Sequence, residues 1–166
     1  MSDRLLVAII GSSDSGKSTT WNRLFDAKVN TGEYPRRLYF NGAQWVDVFL
    51  ISGSPEEREI EFGDFLPDKV PHIVLCSAQY RDDVIETFDY FFSKGYEVFV
   101  QWLNPGHADS STCEDRLNLR NYLLDKGATI QVRDGRADPV SRVKEIRQFI
   151  LGWAKYRDLI GTDFPD

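Results

Sequence analysis

The stretch Gly11-Ser-Ser-Asp-Ser-Gly-Lys-Ser18 constrains this chain more than any other, because of what flanks it. Arg4 to Ile10 (RLLVAII) is short, apolar and β-branched, and it ends at a polar glycine loop, so it reads as a buried strand. Beyond the loop, Trp21, Leu24 and Phe25 fall on one face of a helix. Strand, glycine loop and helix in that order build a concave lining of backbone N–H groups. Gly11 and Gly16 allow dihedrals and close approaches that a Cβ would block. The helix that begins near Lys17 adds the positive end of its dipole. Such a concavity suits phosphate oxygens. Lys17 can reach the β and γ oxygens of a polyphosphate as a point charge, and the Ser18 hydroxyl suits Mg²⁺. The expected phosphate site is Gly11, Asp14, Ser15, Gly16, Lys17, Ser18 and Thr19, with Lys17 also stabilising transition-state charge. A chance match in a Ser/Gly-rich turn is the competing explanation, and the correct flanks on both sides count against it.

The remaining chain supplies the sheet around that loop. Arg36 to Phe40 and Gln44 to Ser52 are strand-like and are separated by Asn41-Gly42, a dipeptide that favours a type I′ hairpin. After an acidic stretch through Glu61, strands and helices alternate. His72 to Ser77, Tyr96 to Leu103 and Ala128 to Val132 read as strands. Asp82 to Lys94 and Cys113 to Lys126 read as helices, each followed by a glycine at the C′ position, Gly95 and Gly127. Asp138-Pro139 opens a last helix with Val140, Val143, Ile146, Phe149, Ile150 and Trp153 as its apolar stripe. Only Gly161 to Asp166 reads as a frayed end. The expectation is α/β: one three-layer domain over 1–166, with six mostly parallel strands, one antiparallel edge strand and about five helices. Its 166 residues suit one continuous core, and 42% apolar with 28% charged residues is globular composition.

The order of elements resembles the P-loop NTPases, and among them the Ras-like and translation-factor GTPases. GSSDSGKST is similar to the translation-factor form of the loop, with Asp14 at its fourth position. Arg37 to Glu57 resembles the hairpin before the second switch, with Gly53 at the place of the switch glycine. The resemblance implies Mg²⁺-dependent hydrolysis of the β–γ bond of ATP or GTP, slow without a partner. It also places Asn104 at the base-reading position and offers Thr31 as a second metal ligand beside Ser18, with an ordinary loop threonine as the equal alternative. The family's D-x-x-G is here Leu50-Ile-Ser-Gly53, Ser54 falls where the catalytic glutamine would be, and Asn104-Pro-Gly-His107 keeps only the Asn of N-K-x-D.

Two other readings stay open. Arg116 and Arg120 lie four apart in a helical pattern, as lid arginines of a small P-loop kinase would, although an ordinary helix surface with Glu114 or Asp115 paired to arginine is the simpler explanation. Alternatively, the chain is a nucleotide-dependent switch or binding module, in which a protein partner reads the segments 28–36 and 53–68. Asp47 as a metal carboxylate competes with a cross-strand role, and Glu56 and Glu57 as water-positioning groups compete with a solvated acidic face. His72 and His107 lack metal-spaced partners. A net charge of −6 argues against a nucleic-acid ligand. Apolar runs of about 7 residues fall far short of the ~20 a membrane helix needs. Two cysteines without a CxxC pair and no leader pattern lead to the expectation of a cytoplasmic protein.

Overall fold

The computed structural model describes residues 3–12, 15–29, 35–52 and 71–163. They form an α/β fold around a mostly parallel mixed sheet. The elements are β1 (Leu5–Gly11), α1 (Lys17–Phe25), β2 (Arg36–Tyr39), β3 (Gln44–Ile51), β4 (Ile73–Gln79), α2 (Val84–Ser93), β5 (Glu97–Leu103), α3 (Leu119–Asp125), β6 (Thr129–Arg133), α4 (Val140–Tyr156) and β7 (Gly161–Thr162). The strand order is β2-β3-β4-β1-β5-β6, with β7 on β3. β1 is paired in parallel with β4 on one side and β5 on the other, and β2 and β7 are antiparallel to β3.

The central strands are apolar on both faces because helices cover both. Leu6, Ala8 and Ile10 of β1 pack with Val84, Phe88 and Phe91 of α2 and Leu119 and Leu123 of α3. Leu5, Val7 and Ile9 face the other way, onto Trp21 and Leu24 of α1 and Val143, Ile146 and Ile150 of α4. This period-2 split follows from the alternation of side chains along a strand. The helices that follow β1 and β4 therefore lie on opposite faces of the sheet. Adjacent strands whose helices leave on opposite faces open a crevice at their carboxyl ends, where ligands of open α/β sheets bind.

Several expected details differ. The hairpin is present, but Asn41 and Gly42 lack the positive φ of a type I′ turn. The Asn41 Oδ1 accepts the N–H groups of Ala43 and Gln44, each at 2.8 Å, and this side-chain turn replaces the tight one. The helix expected over 113–126 starts only at Leu119. Asn118 is left-handed at φ 54, and the Asp115 carboxylate takes the N–H groups of Leu119 and Arg120, each at 2.9 Å. Val140 is 47% exposed and falls outside the apolar stripe of α4. Gly161–Thr162 is a seventh strand and no frayed end, bonded to Trp45 and Gln44 of β3. Among the described residues there are four helices, against the five expected. Gly95 and Gly127 take φ of 80 and 81, the left-handed ends their positions required.

Candidate phosphate-binding site

β1 delivers Gly11 to the carboxyl end of the sheet beside Gln79 of β4, its partner in register. The chain then turns into α1 through Gly16, whose φ of 103 suits glycine. Ser13 and Asp14 lie outside the described residues, as does Thr31. Ser15 is buried and closely surrounded by three glycines. A Cβ on Gly11 would stand 2.2 Å from the Ser15 Oγ, one on Gly106 2.7 Å from the Ser15 Cβ, and one on Gly135 2.5 Å from the Ser15 carbonyl oxygen. Gly106 belongs to the loop after β5 and Gly135 to the loop after β6. The His107 N–H donates to the Ser15 carbonyl at 2.9 Å, and the Gly135 N–H to the Pro105 carbonyl at 2.7 Å. Both loops thus brace the glycine loop from behind. The motif spacing made Gly11 and Gly16 legible in the sequence; nothing in the sequence marked Gly106 or Gly135.

Lys17 is drawn over this loop. It is 8% exposed, and its Nζ donates to the Gly11 carbonyl at 3.2 Å and to the Ser12 carbonyl at 2.8 Å, with the Ser15 Oγ at 3.5 Å. An extended lysine would keep its ammonium in water, so the backbone carbonyls hold this charge in place. Ser18 and Thr19 are exposed on the first turn of α1, whereas Thr20 turns inward and donates its hydroxyl to the Gly16 carbonyl at 2.8 Å. One exposed hydroxyl on that turn fits Mg²⁺, which keeps several waters and takes few protein ligands. Among the described residues no group of three His, Cys, Asp or Glu could hold a metal on its own.

The remaining sequence candidates fall elsewhere or are engaged. The Asn104 side chain holds Cys113 on both sides, donating to its carbonyl at 2.9 Å and accepting its N–H at 2.8 Å. It thereby staples the 104–113 loop. The Asp109 Oδ2 accepts the Ser12 hydroxyl at 3.0 Å and the Gly106 N–H at 3.1 Å, another brace on the glycine loop. Arg116 lies before α3 and pairs with Asp82 at 2.7 Å, and Arg120 pairs with Asp115 at 3.5 Å. The two arginines therefore do not share a helix face. Asp83, at the start of α2, makes no side-chain cap on that helix. Asp47 is exposed and sits across from Arg37 in the hairpin, the cross-strand role. Leu50, at the place of the D-x-x-G aspartate, is fully buried in the core. Gly53, Ser54, Glu56, Glu57 and the segment 53–68 lie outside the described residues, as do positions 30–34 of the segment 28–36. His72 and His107 are exposed, and among the described residues neither belongs to a group of His, Cys, Asp or Glu that could hold a metal. Among those residues no helix is long and apolar enough to cross a membrane.

Behind the loop stands a residue that the sequence did not single out. Arg142, in the first turn of α4, is 4% exposed. Its Nε donates to the Thr20 Oγ1 at 3.2 Å, and its Nη1 to the carbonyls of Ala137 at 3.0 Å and Asp134 at 3.4 Å. Burial lowers the pKa of its guanidinium, while Asp138 and Asp134 act at a distance to raise it. Comparison with protein-family models, with curated proteins and with solved structures finds no match to this chain.

Proposed function

We propose that this chain is a P-loop protein that binds a nucleoside triphosphate through its phosphates at the 11–18 loop and hydrolyses the β–γ bond slowly with Mg²⁺. One observation carries the reading: Lys17 lies folded over the carbonyls of Gly11 and Ser12 at the carboxyl end of a central strand. That arrangement fixes a cation where the phosphates of a ligand on this loop would lie, with the N-terminus of α1 beside it. Ser18 would hold Mg²⁺ together with phosphate oxygens and water, and the ion would neutralise charge on those oxygens. Lys17 would stabilise the charge that builds on the β and γ oxygens.

The strand order supports slow chemistry. β4 lies between β3 and β1, so the end of β3 stands two strand spacings, roughly 10 Å, from the end of β1. The D-x-x-G position is on β3, and its Leu50 is a core residue. The polar side chain nearest Gly11 by register is Gln79 of β4, which makes it the candidate to orient water. Asn104 is held by Cys113, which favours binding through phosphates over strong selection of guanine. The spacing that suggested a kinase lid is not kept, because Arg116 precedes the helix that carries Arg120.

The test is a side-by-side titration with ATP and GTP, with and without Mg²⁺, read by calorimetry and by the ligand-induced rise in thermal stability. Binding of either triphosphate is expected. Lys17→Ala is expected to weaken it about a hundredfold, since charge-assisted bonds contribute about 1.5–3 kcal/mol each. Wild-type affinity in that variant would sink the reading.

A further inference from the structure

We propose that Arg142 is a positioning residue of the phosphate site, a buried charge beneath Gly16 that an incoming polyphosphate neutralises. The inference rests on the phosphate-binding reading given above and goes beyond the 11–18 motif. Three observations carry it. First, the position is close: a Cβ on Gly16 would stand 3.4 Å from the Arg142 Nη2. Gly16 immediately precedes Lys17, so the guanidinium backs the very turn that would wrap a phosphate. Second, the charge is held on neutral acceptors. Thr20, Asp134 and Ala137 supply a hydroxyl and two backbone carbonyls. Among the described residues no carboxylate lies within 4.0 Å of it; the Asp134 carboxylate goes to Arg136, and that of Asp138 caps the Val140 N–H. Third, the location is electrostatically poor for a cation. The first turn of a helix is its positive end, and burial adds a desolvation cost.

A structural hydrogen-bonding role alone would not need a permanent charge in such a place. A polyphosphate on the far side of the Gly16 turn would provide the missing negative charge across one layer of backbone. The same side chain ties α1, through Thr20, to the 134–137 loop. Anion binding at the loop is thereby coupled to how firmly that loop is held.

The experiment compares the wild-type chain with Arg142→Lys, which keeps the charge, and Arg142→Gln, which keeps hydrogen-bonding capacity and removes it. Each is titrated with inorganic tripolyphosphate and with ATP, and ligand-free stability is measured in urea. Arg142→Lys is expected within about threefold of wild-type affinity, and Arg142→Gln at least about tenfold weaker, the factor for losing a unit charge even roughly 12 Å away in an effective dielectric of about 20. Ligand-free stability is not expected to follow that order, because removing a buried, unneutralised cation also removes its desolvation cost. Should Arg142→Gln fail to unfold cooperatively, Arg142→Met repeats the comparison with the aliphatic bulk retained. Equal affinity in the charged and uncharged variants would overturn the inference and leave phosphate binding standing. Failure of the wild-type chain to bind either probe would overturn both.

Discussion

Two groups of cations stand at the carboxyl end of the sheet, and the fold treats them in opposite ways. Lys17 and Arg142 are buried; Lys17 donates to the carbonyls of Gly11 and Ser12, and Arg142, among the described residues, rests on one hydroxyl and two backbone carbonyls. Arg116 and Arg120 have side chains 59% and 57% exposed, and each meets a carboxylate. An exposed ion pair costs little and contributes little. A buried cation on neutral acceptors is expensive and persists only where something compensates it. The first group lies where glycines press together around Ser15; the second lies on a stapled loop and a short helix. Under the proposed phosphate site, the buried pair is charge placed for a ligand, and the exposed pair is charge placed for solubility and local order.

The largest effect expected is at the glycines of the first region. In Gly106→Ala the new Cβ would meet the Ser15 Cβ at 2.7 Å and the Ser15 Cα at 2.9 Å. These are atoms of the buried loop itself, so the backbone must move. The expected cost is about 3 kcal/mol, the upper end for overpacking a close contact, together with loss of triphosphate binding. Gly42→Ala is the control, since nothing lies within 4 Å of its Cβ and its φ is not positive. Its urea midpoint is expected to stay within a few tenths of a kcal/mol of the wild type. Equal midpoints for the two variants would remove the steric basis of the glycine cradle.

The second region is expected to respond to pH. Burial pushes the Asp115 carboxyl up, but the bonds from Tyr80, Arg120 and Leu119 outweigh it and hold the pKa below its ordinary 3.8. The Tyr80 hydroxyl, bonded to Asp115 at 2.6 Å, is correspondingly pushed up to about 12, with burial as the larger cause. A carboxylate depressed in the folded state stabilises above its unfolded value, and that contribution fades as pH falls through the folded value. Asp115→Asn is therefore expected to cost about 1 kcal/mol at neutral pH, after discounting for solvent screening. The gap from wild type should close below about pH 4. A gap that persists unchanged at pH 2.5 in urea titrations would show that charge has no part in holding the start of α3.

The legible part of the fold was whatever local chemistry dictates. The apolar run before Gly11, the glycines at 95 and 127, and Asp138-Pro139 each carry their structural consequence within a few residues. The part that was not legible depends on what meets across the sheet. Nothing in the sequence says that β4 inserts between β3 and β1, which puts Gln79 beside Gly11 and moves the D-x-x-G strand away. Gly106 and Gly135 look like ordinary loop glycines until Ser15 is seen between them. Arg142 adjoins an apolar stripe and carries no mark in the sequence; one of the groups that hold it is Thr20, 122 residues away. The arginine spacing misled in the opposite sense, because Asp115 and Asn118 delay the helix past Arg116.

The smallest effect expected is therefore at the pair that looked most functional by spacing. Arg116 donates to Asp82, whose side chain is 86% exposed, so water competes for both partners. Its guanidinium also lies 5.7 Å from the centre of the Tyr80 ring, a weak contact at an exposed site. Arg116→Ala is expected to leave the urea midpoint unchanged within error, and the double variant with Arg120→Ala is expected to retain triphosphate affinity and basal hydrolysis. Placed beside Arg142→Gln, this yields a direct contrast: one buried arginine whose charge controls polyphosphate affinity, against two exposed ones whose removal does not. A collapse of phosphoryl transfer to a hydroxyl acceptor in the double variant would reverse the contrast, because those guanidiniums would then have to leave Asp82 and Asp115 and close over the phosphates during turnover.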